Sequence, residues 1–143
     1  MSLRRLAKSE SGAALVELAV VTPFLALLLT GLIDFGRYTY DAILAANAAR
    51  SAAAYGAQTL ETAKDTTGMT AAGQTDAQGL TVSVTPQTVC MVGSTVVTCG
   101  TSTAETAFVQ VTATGTYQPL IKYPFLPSSV IVSGSSFMRV EQQ

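Results

Sequence analysis

From Ala13 to Ile33 the chain reads AALVELAVVTPFLALLLTGLI, 21 residues in which Glu17 is the one ionisable side chain. As a helix rising 1.5 Å per residue this run is about 31 Å long, which matches a hydrocarbon core of about 30 Å. The remainder of the chain is too short to wrap it as a core helix. A secretory signal peptide would carry a shorter apolar run of about 7–15 residues and then a small-x-small cleavage site. Here the run passes straight into Asp34-Phe35-Gly36-Arg37. The pattern predicts a membrane-spanning helix over 13–33.

The pattern then changes. Residues 34–58 contain no proline and many alanines, a good helix-forming composition. Phe35, Tyr38, Ala42, Ala45, Ala46, Ala49 and Ala53 recur at three- and four-residue spacing, which gathers small and aromatic groups on one face. Such a face suits close packing against helices of other subunits, and equally suits covering a domain of the same chain. Gly36 marks a weak point in the helix.

Residues 59–79, with Gly68, Gly73, Gly79 and several threonines, read as a polar linker. Alternation and β-branched content then predict five strands in a β-rich domain over 80–143: Leu80–Val84, Thr88–Val92, Thr95–Cys99, Thr106–Tyr117 and Val130–Val140. The expected fold class is α+β. A long N-terminal hydrophobic helix continues into an exported amphipathic helix, and a small antiparallel sheet packs on the latter.

Composition narrows the function classes. The 143 residues include no histidine and two cysteines, so a histidine triad, a histidine metal site and a Cys/His zinc site are all impossible within the chain. An enzyme is not expected, nor a metal, nor a cofactor. A net charge of −1 gives no basic balance for nucleic acid. Its distribution says more. Arg4, Arg5 and Lys8 stand against Glu10 in residues 1–12, whereas residues 13–143 carry five basic and eight acidic side chains, for −3. That asymmetry predicts a basic cytoplasmic leader, a single crossing, and export of everything after residue 34.

Export bears on the cysteines, since an oxidising compartment favours disulfides. Cys90 and Cys99 flank Val92-Gly93-Ser94-Thr95, a hairpin signal. With a two-residue turn at Gly93-Ser94, Cys90 faces Val97 and Cys99 lies on the diagonal, too far for an unstrained bridge. A four-residue loop, 93–96, sets the cysteines opposite each other. The bridged register is therefore the one expected, with two reduced, inert cysteines as the alternative. Tyr117, Tyr123 and Phe125 are expected in the sheet core, or else in a contact patch.

Two residues inside the span stand out. Pro23 removes a backbone donor and is expected to kink the helix, although membrane helices also simply tolerate proline. Glu17 lies four residues past Ala13, about 6 Å into the apolar run. A carboxylate there either faces a partner or snorkels to the headgroups near the helix N-terminus.

The neighbouring residues decide between these. Residues 11–17 read Ser-Gly-Ala-Ala-Leu-Val-Glu: a glycine ends the basic leader, the apolar run begins at once, and Glu17 is its fifth residue. This resembles the processing site of type IV prepilins and implies cleavage between Gly12 and Ala13 by a membrane aspartyl peptidase. The cut would create an ammonium at Ala13 in apolar surroundings, where Glu17 of a neighbouring subunit could neutralise it. Residues 12–56, with Glu17, Pro23, the Asp34-Phe35-Gly36-Arg37 exit and the Asn47-Ala48-Ala49-Arg50 run, closely resemble the N-terminal region of TadE-like proteins, minor pilins or pseudopilins of Tad (Flp) pilus systems. The YPFLP stretch at 123–127 and the strand around Phe137-Met138-Arg139-Val140-Glu141 resemble that family's closing strand. Major pilins of this class carry a tyrosine directly after the glutamate, whereas Leu18 stands here, which argues against the main fibre subunit.

The resemblance implies a structural part of the pilus that acts in initiation, capping or assembly by helix packing. Its implied partners are other pilin or pseudopilin subunits, a prepilin peptidase, the inner-membrane assembly platform and the membrane itself. A different class of function remains open: an uncleaved single-pass membrane protein that displays an extracytoplasmic binding module.

Overall fold

The computed structural model describes residues 10–100, 105–122 and 127–141. The element order is α1 (Glu10–Gly56), α2 (Thr66–Asp76), β1 (Val82–Val92), β2 (Thr95–Val97), β3 (Thr106–Tyr117) and β4 (Val130–Arg139). The fold class is α+β, as the sequence pattern predicts. The chain divides into two compact units, residues 1–37 and 38–143. The basic residues Arg4, Arg5 and Lys8 of the expected leader, and Tyr123 and Phe125, lie outside the described residues.

In the first unit α1 is the one described element, and from Gly12 to Ile33 its side chains are solvent-exposed almost throughout. The helix runs on through Pro23. Proline lacks the N–H that would reach the Ala19 carbonyl one turn back. Next to this gap the Thr22 hydroxyl donates to the Leu18 carbonyl at 2.7 Å, and two turns past the proline Thr30 does the same to Ala26 at 2.8 Å. Both hydroxyls are thereby satisfied by the helix itself.

In the second unit the sheet has the order β2-β1-β3-β4, and every pairing is antiparallel. The two strands expected at 80–84 and 88–92 are one continuous strand, β1, which passes through Pro86. Its pairing explains the tolerance. β1 pairs with β3 from Val82 to Met91, whereas β2 covers only Cys90 to Val92 on the other side. Pro86 therefore sits in a stretch with one neighbouring strand, where a missing donor costs the ladder nothing if it faces outward.

A stripe of fully buried alanines on α1 (Ala45, Ala48, Ala49, Ala52 and Ala53) meets the inward-facing Val109, Val111, Ala113 and Val132 of the sheet. The observed face is rotated from the expected one: Ala48 and Ala52 are buried, whereas Phe35 and Ala46 are exposed. Small side chains let the helix backbone sit directly on the sheet. At Gly134 in β4 a Cβ would overlap the Ala46 Cα.

The stretch read as a linker holds α2. Its residues are poor helix formers, so tertiary packing and a cap must hold it. Met69 and Gly73 are buried in the shared core. Gly73 approaches α1 so closely that a Cβ would come within 2.9 Å of the Ala48 carbonyl oxygen. Asp65 caps the helix by accepting from the Gly68 amide at 2.9 Å. The Tyr55 hydroxyl, from α1, donates to the other carboxylate oxygen at 2.9 Å.

The hairpin register differs from the one favoured by sequence. Gly93-Ser94 is a two-residue turn with Gly93 at φ +62°, and Cys90 pairs with Val97. Cys90 and Cys99 are nonetheless joined by a disulfide, with Cα atoms 5.1 Å apart. Both hold because β2 stops at Val97, so Cys99 has left the ladder and is not bound to the diagonal distance.

Candidate membrane span and subunit-contact site

Of the residues singled out by sequence, Gly12, Ala13, Glu17 and Pro23 lie on the exposed part of α1. Gly12 lies in its first turn. A Cβ there would meet nothing within 4 Å, so packing within the chain does not require a glycine at this place. Ala13 follows, and Glu17 stands one turn further along, on the same face as Ala13. The Glu17 carboxylate is exposed and borders a shallow groove formed with Ala14, Leu18 and Val21. The small Ala14 opens the groove, and its other walls are apolar.

At the far end of the apolar run the sequence reading treated Asp34 and Arg37 only as exit charges. The structure adds that the Asp34 side chain is buried, with the Arg37 guanidinium 3.6 Å away at i,i+3 spacing. Spacing alone would have flagged that pair, but not the burial. Pro23 lies between the two charged zones, nearer to Glu17, and Cys90 and Cys99 belong to the sheet unit.

Among the described residues no cluster of three or more metal-ligating side chains occurs. A cavity beside the disulfide is lined by Leu60, Lys64, Thr88 and Glu105 among others. Glu105 there accepts the Gly100 amide at 2.7 Å, closing its own loop.

Among the described residues one helix is long and apolar enough to cross a membrane. It is bare over its apolar part and carries an alanine face on a small sheet further on. These features define an α+β protein with one candidate membrane-spanning helix. Residues 12–54 match the family model described as TadE-like protein. The resemblance read from the sequence therefore stands over that stretch, and it supports a membrane component associated with a Tad pilus. No curated protein and no solved structure matches the chain.

Proposed function

We propose that this chain is a minor pilin-like or pseudopilin-like component of a Tad pilus, acting in initiation, capping or assembly through lateral helix packing. The observation that carries the reading is the exposed apolar run 13–33 with Glu17 as its one carboxylate, one helical turn after the Gly12-Ala13 peptide. A bare carboxylate at that depth is costly. An ammonium at Ala13 of an adjacent subunit, released by cleavage, would neutralise it. The basic residues 4–8 support an N-terminus held in the cytoplasm, with the sheet unit outside.

Intact-mass spectrometry of the chain expressed with its own pilus genes tests this. The expected mass lacks residues 1–12, and a Gly12 substitution restores the full mass. A full-length mass under those conditions would overturn processing. The chain would then be read as a permanent single-pass protein that displays its sheet unit as a binding module.

A further inference from the structure

The sheet unit begins at Tyr38, five helical residues past the end of the apolar run at Ile33. Whatever angle the helix takes there, the rise between those two residues is about 7.5 Å. The Tyr38 end of the unit is thus held at headgroup depth by the covalent chain, and this inference rests on residues 13–33 spanning a bilayer.

Within the unit, Tyr38 meets Tyr117 at the end of β3, ring centroids 5.7 Å apart and edge to face. Tyr117 pairs with Val130 at the start of β4, so the β3–β4 connection emerges at this same end. Exposed apolar side chains gather there. Ile131 is 73% exposed, Tyr40 60%, Leu120 59% and Ile121 42%, and Lys122 adds an exposed cation directly after them. Aliphatic side chains, tyrosines and a lysine are the composition that sits at a membrane–water interface. There the rings and alkyl groups enter the acyl boundary, and the ammonium meets phosphate.

The opposite end of the sheet looks different. Phe137 is stacked on Phe108, centroids 4.9 Å apart, and is 52% exposed. Val96 near the tip of the hairpin is 65% exposed, and the covalent chain does not hold this end beside the apolar run.

We propose that the Tyr38 end of the sheet unit is a second membrane contact. Leu120, Ile121 and Ile131 dip into the headgroup layer of the bilayer the helix crosses, and Lys122 faces lipid phosphate.

The chain contains no tryptophan, so single tryptophans report position without background. The full chain would be reconstituted into vesicles of phosphatidylethanolamine and phosphatidylglycerol doped with lipid brominated near the top of the acyl chain. I121W and I131W should show blue-shifted emission and several-fold stronger quenching than V96W. Quenching no greater than for V96W overturns the proposal. Protection from aqueous acrylamide without quenching by brominated lipid also overturns it, because a protein would then cover the surface. An L27W variant with bromine deep in the acyl chain separates the two readings. Strong quenching there with none at 121 and 131 removes the surface contact alone, whereas no quenching at L27W removes the span and the contact together.

Discussion

Gly134 of β4 lies against the backbone of Ala46 in α1, with no room for a β-carbon between strand and helix. The contact depends on backbone meeting backbone, so neither side can yield by changing a rotamer. G134A should therefore destabilise the sheet unit by about 1–3 kcal/mol, at the upper end of overpacking costs. Urea denaturation followed by circular dichroism would measure it. G31A, where a β-carbon meets nothing within 4 Å, should leave the midpoint unchanged.

The disulfide closes a separation of nine residues and ties Cys99, beyond the end of β2, to the core residue Cys90. β2 itself is three residues long and pairs on one side only. Loop-closure entropy for so short a ring corresponds to about 2–3 kcal/mol. Reduction, or a C90A/C99A double substitution, should lower stability by about that amount and speed hydrogen exchange at Val92 and at the β2 amides before the β1–β3 ladder. Unchanged exchange at those amides would show that the turn holds β2 by itself.

Asp65 supplies a pH dependence. The Gly68 amide first, and then the Tyr55 hydroxyl, hold its carboxyl below the ordinary carboxylate range, and the same bond pushes the Tyr55 phenol up. A carboxyl depressed on folding contributes stability in full above its unfolded value of about 3.9, and loses it as pH falls through the lower, folded value. Stability should thus decline on acidification below about pH 4, and a D65N variant should lose part of that dependence. Denaturation midpoints between neutral and strongly acidic pH would compare the two.

Glu17 is exposed and belongs to the first unit, so its role should separate cleanly from folding. E17Q is expected to leave the melting transition of the sheet unit unchanged while reducing recovery of the chain with its pilus partners at least about tenfold, as an uncompensated buried charge would. Co-purification from membranes measures the second quantity. Equal recovery of E17Q and wild type would leave the carboxylate with no pairing role.

The strongest patterns were the most legible. The apolar run and the alternation from Thr106 to Tyr117 correspond to elements the structure contains, because each is one unbroken period over many residues. Pro86 split β1 in the sequence because a proline normally ends a strand, and only the pairing shows that this stretch has one neighbour. α2 was hidden by its threonines and glycines. Its helix exists because Met69 finds a core and Asp65 finds both an amide and a tyrosine from elsewhere in the chain. The hairpin reading failed on an assumption of geometry, that both cysteines must stay in the ladder. In α1 the choice between Ala46 and Ala48 was invisible, since alanines on adjacent faces look alike; the Ala48 side chain is buried in the core, whereas at Ala46 the backbone lies against Gly134 and the side chain is exposed. Of the candidate site, residue types and spacing were readable at once. The burial of Asp34 was not, because burial belongs to the folded neighbourhood.

The alanine seam along α1 also has a mechanical meaning. Within the sheet unit, a load along the axis of helix residues 38–56 arrives as shear along the seam. Ala45, Ala48, Ala49, Ala52 and Ala53 are loaded together, and no single contact can peel first. Extraction would have to slide the whole seam past the sheet, with the Ala46 backbone catching on β4 at Gly134. A helix held to its sheet this way should resist tension along its own axis far better than a sideways pull that lifts it away one turn at a time.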